Sequence, residues 1–329
     1  MKQLDVKDKK ILTLLSINSR LKLHEIAQHV RLSKNSIKYR IERLQKLGYI
    51  KRFTPIISYD KIGYTTHDLF IKLRLRKEQE KELVEHFKDH PNVLWCSTLF
   101  GEWDLLIQFA NKNFDEFYYE NLIGVLKKFN EFIEDYEVKV TVKRFKLQYC
   151  VPDYFDLINK NKVKTLTPVK DRNIVQLDKV DRKLLSALSK NARANFQQLG
   201  KLINESLETT RNHFNKLIKE GVLEGFSVQF GYKELDLVNY MTFFRFRNIS
   251  EEKEKEFKLY LQEKREVILA LKNGNVPEIY LLLSANSPRT AETVIKDIKD
   301  KFFEQIKNIT TITLTENIRL DFFPEGLIE

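Results

Sequence analysis

Residues 32–50 read LSKNSIKYRIERLQKLGYI, and the reading of this stretch decides the fold around it. Ser33 is placed to cap a helix, its hydroxyl accepting from a free backbone N–H of the first turn. Ile37, Ile41 and Leu44 follow at i, i+4 and i+7 and form one apolar stripe. At about 100° per residue, Asn35, Lys38, Tyr39, Glu42, Arg43 and Lys46 point to the other side. Gly48 suits the left-handed residue that ends such a helix. Between Ser33 and Leu47 stand Lys34, Lys38, Arg40, Arg43 and Lys46 against one acid, Glu42. A short, capped helix with a cationic outer face is read as a DNA-recognition helix.

Context separates this reading from a merely solvated basic face. Asp5–Asn18 predicts a first helix, with Asp5 as cap and Ile11, Leu12, Leu14 and Leu15 inward. Leu23, Ile26, Ala27 and Val30 repeat at helical spacing, and only Arg31–Ser33 separate them from the third helix. That short connection is the one a helix-turn-helix uses. Leu4-Asp5, Asp8, Asn18, Arg20, Ile26-Ala27, Leu32-Ser33, Ser36-Ile37, Arg40-Ile41, Leu44 and Gly48-Tyr49-Ile50 carry a resemblance to the Lrp/AsnC family of transcriptional regulators. The resemblance implies a DNA-binding domain followed by a ferredoxin-like RAM domain for effector binding and assembly. It also implies a cytoplasmic, nucleoid-associated prokaryotic protein.

The 329 residues suffice for two or more cores, and 42% hydrophobic with 31% charged content suits a soluble protein. No apolar run approaches the ~18 residues of a membrane span, and MKQLDVKDKK lacks the apolar core of a signal peptide. Cys96 and Cys150 form no metal-type or redox spacing, so two reduced thiols in the cytoplasm are expected. The net charge of +11 is unevenly spread: residues 1–62 alone carry +10. A polyanion is the natural partner of that segment.

Past residue 62, Leu69–Arg76, Val93–Leu99, Asp104–Phe109 and Glu134–Phe145 read as strands. Lys77–His90 and Asn113–Phe129 read as helices, which gives the order βαββαβ. Pro152, Pro168 and the NKNKVK run then break the periodicity of residues 150–173, taken as a linker. At Leu177-Asp178 the pattern restarts. Shifted by 173, residues 4–60 align with 177–233 without a gap, with identities that include Asp5/Asp178, Asp8/Asp181, Asn18/Asn191, Arg20/Arg193, Ser33/Ser206, Leu44/Leu217 and Gly48/Gly221. A second βαββαβ follows, from the strand Tyr240–Arg247 to the strand Thr310–Phe322. The expected class is α+β in five segments: 1–62 (first helix-turn-helix), 63–149 (first RAM domain), 150–173 (linker), 174–235 (second, degenerate helix-turn-helix) and 236–329 (second RAM domain). One chain is expected to act as a covalent pseudo-dimer, with such chains forming homo-oligomers.

The copies differ where contacts would be made. In SLETTRNHFNKLIKEG, Thr210, Phe214 and Leu217 replace the first stripe, and Ser206–Glu220 keeps a charge of only +1 against +4 for Ser33–Leu47. The first helix is expected to dominate DNA affinity through Lys34, Asn35, Lys38, Tyr39, Arg43 and Lys46, with Arg211, Asn212 and Lys216 assisting. Arg40 is placed either for a phosphate or for an acid inside the domain. Gly101-Glu102-Trp103-Asp104 resembles the Gly-x-aromatic-Asp turn near the amino-acid effector site of the family, with Asp104 a candidate acceptor for an amino group. The same four residues also suit a plain β-turn with a buried Trp. The second copy keeps Gly274 but not the aromatic residue or the Asp.

His86 and His90 lie at i, i+4 without a clear third ligand, so they read as surface histidines and no metal is expected. There is no phosphate-cradling Gly-rich loop or nucleophile-plus-base signature, so neither cofactor nor catalysis is expected. Double-stranded DNA is the expected partner, with a small amino-acid-like effector and no membrane. Two alternatives share the framework. Sirohaem decarboxylases carry a Tyr-Asn-Leu-Trp-Phe-like run where this chain reads FGEWDLL at 100–106. A nonspecific architectural protein would coat DNA without a preferred site.

Overall fold

The computed structural model describes residues 4–74, 77–159, 163–166, 173–247, 249–274 and 278–328. In chain order the first copy supplies α1 (Val6–Ile17), α2 (Leu23–Val30), α3 (Lys34–Lys46), β1 (Ile50–Ile57), β2 (Thr65–Leu73), α4 (Lys77–Lys88), β3 (Val93–Phe100) and β4 (Leu105–Asn111). It continues with α5 (Phe114–Glu116), a π turn (Phe117–Leu122), α6 (Ile123–Phe129) and β5 (Ile133–Leu147). The second copy supplies α7 (Lys179–Lys190), α8 (Phe196–Ile203), α9 (Leu207–Lys219), β6 (Leu223–Phe230), β7 (Val238–Phe246), α10 (Glu251–Glu263), β8 (Val267–Asn273), β9 (Glu278–Ala285), α11 (Pro288–Lys301) and β10 (Ile306–Leu320).

These elements gather into two compact units, and each unit takes one half from each copy. The first unit holds Met1–Ser58 with Gln148–Leu237; the second holds Tyr59–Leu147 with Val238–Glu329.

In the first unit, side-chain caps mark the starts of both first helices and both third helices. Asp5 and Asp8 form a capping box on α1, as Asp178 and Asp181 do on α7, and Ser33 and Ser206 cap α3 and α9. Arg31 and Asn204, at matching repeat positions, take the left-handed conformation that the turn before α3 and α9 requires. Ile37, Ile41 and Leu44 are buried as the stripe predicts, as are Thr210, Phe214 and Leu217. The two helix-turn-helix halves join through an antiparallel ribbon, β1 against β6, with Phe53 opposite Val228 and Thr54 opposite Ser227. Part of the segment expected as a linker packs here. Pro152–Leu157 forms a 3-10 turn, the Thr13 hydroxyl donates to the Tyr154 carbonyl (3.0 Å), and Val151, Ile158 and Val163 are buried. Residues 160–162 and 167–172 of that segment lie outside the described residues.

The second unit is a closed eight-stranded barrel in the order β10-β3-β4-β2-β5-β8-β9-β7. Each copy contributes four antiparallel strands in ferredoxin-like order, and the copies join reciprocally through β5–β8 and β10–β3. Strand alternation sorts the faces. Leu69 and Ile71 of β2 pack with Phe87, Phe117, Leu122, Val125 and Phe129. The helix expected over Asn113–Phe129 is interrupted by the π turn, whose extra residue brings both Phe117 and Leu122 to the core.

On the other face of β2, Asp68 belongs to a buried polar cluster beside Phe70. Asp68 accepts from Gln108 Nε2 (2.7 Å) and Tyr280 Oη (2.8 Å), while Lys139 Nζ lies 2.9 Å from both Glu137 and Glu278. Burial pushes the Asp68 carboxyl up to about 6, against the hydrogen bonds and the Lys139 charge that favour its ionised form.

Candidate nucleic-acid interface

The cationic helix α3 is braced from behind by one carboxylate. Asp8, at 0% exposure, accepts from Arg40 Nη1 through Oδ1 (2.7 Å) and from Arg43 Nη2 through Oδ2. Arg40 Nη1 also reaches Asp5 Oδ2 at 2.7 Å. Partial burial would raise the Asp5 carboxyl, but the Asp8 amide and the Arg40 guanidinium outweigh it and hold Asp5 below its ordinary range. The pairing resolves Arg40, left open by the sequence, toward the acid inside the domain. It also engages Arg43, expected on the DNA face, with the same acid, and a buried carboxylate left without its cation is costly.

With those two arginines committed, the exposed residues of α3 include Lys34, Asn35, Lys38, Tyr39, Glu42, Gln45 and Lys46. Tyr39 is 66% exposed although its ring is largely apolar, and Lys38 Nζ lies 3.9 Å from Glu42 at the surface. Donors, acceptors and an aromatic ring therefore stand together on one helix.

The second copy repeats the brace with other side chains. Asp181, also fully buried, accepts from Lys216 Nζ (2.6 Å) and meets His213 Nδ1 (2.8 Å). Its hydrogen bond to Lys216 raises that ammonium above its ordinary range. Lys216, expected to assist on DNA, is thus engaged with a buried acid as Arg43 is. Asp178, Asp181 and His213 lie close enough to ligate a cation, but Lys216 already supplies the positive charge there. Arg211 and Asn212 remain exposed, joined by Asn215 and Lys219.

The repeat carried a further signal whose meaning the sequence did not disclose. Arg20 Nη1 donates to Ala194 O (3.0 Å) and also to Ala192 O, and its guanidinium lies over the rings of Phe196, Phe214 and Phe226 at 4.8–5.6 Å. Arg193 reciprocates, donating to Ser19 O and lying over Phe53 at 5.7 Å. Burial, then the charge of Arg193, brings Arg20 down to about 10, so it stays cationic at neutral pH. Each copy's arginine thus fastens the other copy's helix-turn-helix.

In the second unit the Gly101–Asp104 turn is tightly built. Gly101 has φ +147°, Trp103 is buried, and Glu102 is exposed. Asp104 is already engaged, by Lys72 Nζ at 3.2 Å and by the Leu73 amide at 2.8 Å. Of the corresponding turn in the second copy, Asn275, Val276 and Pro277 lie outside the described residues. His90 is held down to about 4 by burial and by the nearby positive charges, and His86 Nδ1 lies 3.0 Å from Lys128 Nζ.

The family description winged helix-turn-helix DNA-binding matches residues 4–51 and again 177–224. The HTH-type transcriptional regulator FL11 of Pyrococcus horikoshii is 30% identical over 113 residues, covering 34% of this chain and 74% of FL11. An HTH-type transcriptional regulator of Pyrococcus furiosus is 34% identical over 106 residues, 32% of this chain and 70% of that protein. The chain belongs to the Lrp/AsnC family of HTH-type transcriptional regulators. It is a tandem-duplicated member, since the family's winged helix-turn-helix occurs twice. An AsnC family transcriptional regulator from Agrobacterium tumefaciens, 24% identical with a TM-score of 0.41, matches 46% of this Lrp/AsnC-type chain and 99% of its own. The siroheme decarboxylase NirDL aligns over 98% of this chain and 96% of its own, with a TM-score of 0.61 and 15% identity. That likeness is one of fold.

Proposed function

We propose that this Lrp/AsnC-type regulator binds double-stranded DNA sequence-specifically, with α3 as the principal reading element and α9 as its partner in the same chain. One observation carries the reading: Lys34, Asn35, Lys38, Tyr39 and Lys46 stay outward on α3 while Asp8 absorbs Arg40 and Arg43. Lysines supply phosphate contacts and Asn35 a base-edge donor–acceptor pair. The β1–β6 ribbon supports the pseudo-dimer, because one polypeptide brings both helix-turn-helix arms. One chain per two-half-site operator is then the minimal complex, and homo-oligomers are multiples of it. With DNA as partner, the protein works in the cytoplasm beside the nucleoid; among the described residues no helix is long and apolar enough to cross a membrane.

The reading is of a regulator and not an enzyme. Of the buried lysines of the barrel, Lys139 is held by Glu137 and Glu278, and Lys146 by the carbonyls of Leu261 and Lys264, so neither stands ready for a substrate carboxylate. An amino-acid-like effector at the Gly101–Asp104 turn would meet Glu102, because Asp104 is committed to Lys72 and Leu73. Mapping of binding sites with purified full-length protein on sheared host DNA tests the proposal. Discrete enriched sites are expected, and uniform coating or no retention would overturn sequence-specific binding.

A further inference from the structure

The two copies keep one scaffold and present two different reading faces. Retained across the repeat are the buried brace Asp8/Asp181, the caps Ser33/Ser206, the locks Arg20/Arg193 and the stops Gly48/Gly221. The exposed positions of α3 and α9 have changed: Lys34 faces Leu207 in the alignment, Asn35 Glu208, Lys38 Arg211, Tyr39 Asn212 and Glu42 Asn215. Of the outward residues of α3, only Lys46 keeps its match, Lys219. The positions where base edges would be met have thus diverged, while the brace, caps and locks have not.

The chemistry of the two faces differs in balance. The α3 face has three lysines, which are point charges suited to phosphates, with a phenol ring, a carboxylate and a single amide, Asn35. The α9 face has Arg211, Asn212 and Asn215, the side chains whose forked donors and acceptors match guanine and adenine edges. The Arg211 guanidinium lies over the Phe196 ring, 5.7 Å from its centroid. The β1–β6 ribbon and the Arg20 and Arg193 locks hold both faces in one unit, so every molecule offers one of each.

Resting on the regulator reading above, we infer that the operator is intrinsically asymmetric. One half-site is gripped by the lysine-rich α3, and the other is read for purines by Arg211, Asn212 and Asn215. A homodimeric reader of one helix type favours a palindrome, whereas this chain does not.

The test is selection of a randomised double-stranded oligonucleotide library by the full-length chain, followed by salt titration of the selected duplex. The expected result is a motif of two unlike half-sites. Arg211→Lys and Asn212→Ala should each relax preference in one half only, by roughly 5- to 150-fold at the affected base pair, and leave the other half intact. Arg211→Lys should also keep the parent salt dependence, because the charge is retained and only the fork is lost. A dyad-symmetric motif, or variants that change both halves or neither, would overturn the inference while leaving DNA binding intact. Retention of DNA without any base preference would overturn it too. Failure to retain any duplex at about 50 mM salt would instead overturn the regulator reading itself.

Discussion

Arg43 and Lys38 carry equal charge on the same helix, yet their replacement by alanine should give opposite signatures. Lys38 is 67% exposed, and its ion pair with Glu42 spans 3.9 Å at the surface, a geometry worth about 0–1 kcal/mol. Lys38→Ala should therefore leave the melting temperature nearly unchanged. If the ammonium neutralises one phosphate, the slope of log K against log salt falls by ~0.9, which is about 3.5-fold in affinity over a fourfold salt range. Arg43 instead donates to Asp8, which has no solvent to fall back on. Losing one charge-assisted hydrogen bond to a buried carboxylate costs about 1.5–3 kcal/mol, with Arg40 still in place to limit the loss. At about 2–4 °C per kcal/mol for a unit of this size, Arg43→Ala should lower the melting temperature by about 3–12 °C. Its salt slope should match the parent once the folded fraction is accounted for. Circular-dichroism melts and fluorescence anisotropy on one operator duplex measure both quantities. Arg43→Ala with the parent melting temperature and a slope reduced by about one would show the guanidinium on DNA, and the Asp8 brace would be wrong.

Three further outcomes follow from other parts of the molecule. Arg20→Ala removes donors to Ala192 O and Ala194 O and a cation over three rings, so a loss of about 2–4 kcal/mol is expected in urea melts; parent stability would refute the reciprocal lock. The pH dependence has two opposing parts. Burial raises Asp68 to about 6, so the folded form takes up a proton first and Asp68 adds stability as pH falls from 6 toward 4. Burial holds His67 down to about 4, and burial with nearby positive charges does the same to His90, so their contributions are present above pH 6.5 and are lost as pH falls toward 4. Asp68→Asn leaves the two histidines unopposed, and acid destabilisation should steepen by about 1.4 kcal/mol per pH unit in that window; an unchanged slope between about pH 6 and 4.5 would refute the assignment. Titration of the full-length protein with iron porphyrin should leave the Soret band unshifted, and a saturable shift would bring back the decarboxylase reading.

Why some of this was legible in the sequence and some was not comes down to the range of the interactions. The α3 stripe, the Ser33 cap and the Gly48 stop are local, set by spacing within one helix, and they read directly from residues 32–50. The ferredoxin-like halves follow from alternation and order in the same way. Asp8 and Arg20 were visible only as polar identities in the repeat, because their partners stand 32 and 35 or 172 and 174 positions away. Charge counting is blind to this for the same reason: five cations near α3 suggest five phosphate contacts, but one carboxylate on another helix, Asp8, engages two of them. An internal duplication offers a way around this limit. Polar residues kept by both copies, such as Asp8/Asp181 and Arg20/Arg193, answer to the scaffold they share, while exposed positions that have parted, such as Lys38/Arg211 and Tyr39/Asn212, are released from it. The reading face of such a regulator is therefore better sought among the differences between its halves than among their agreements.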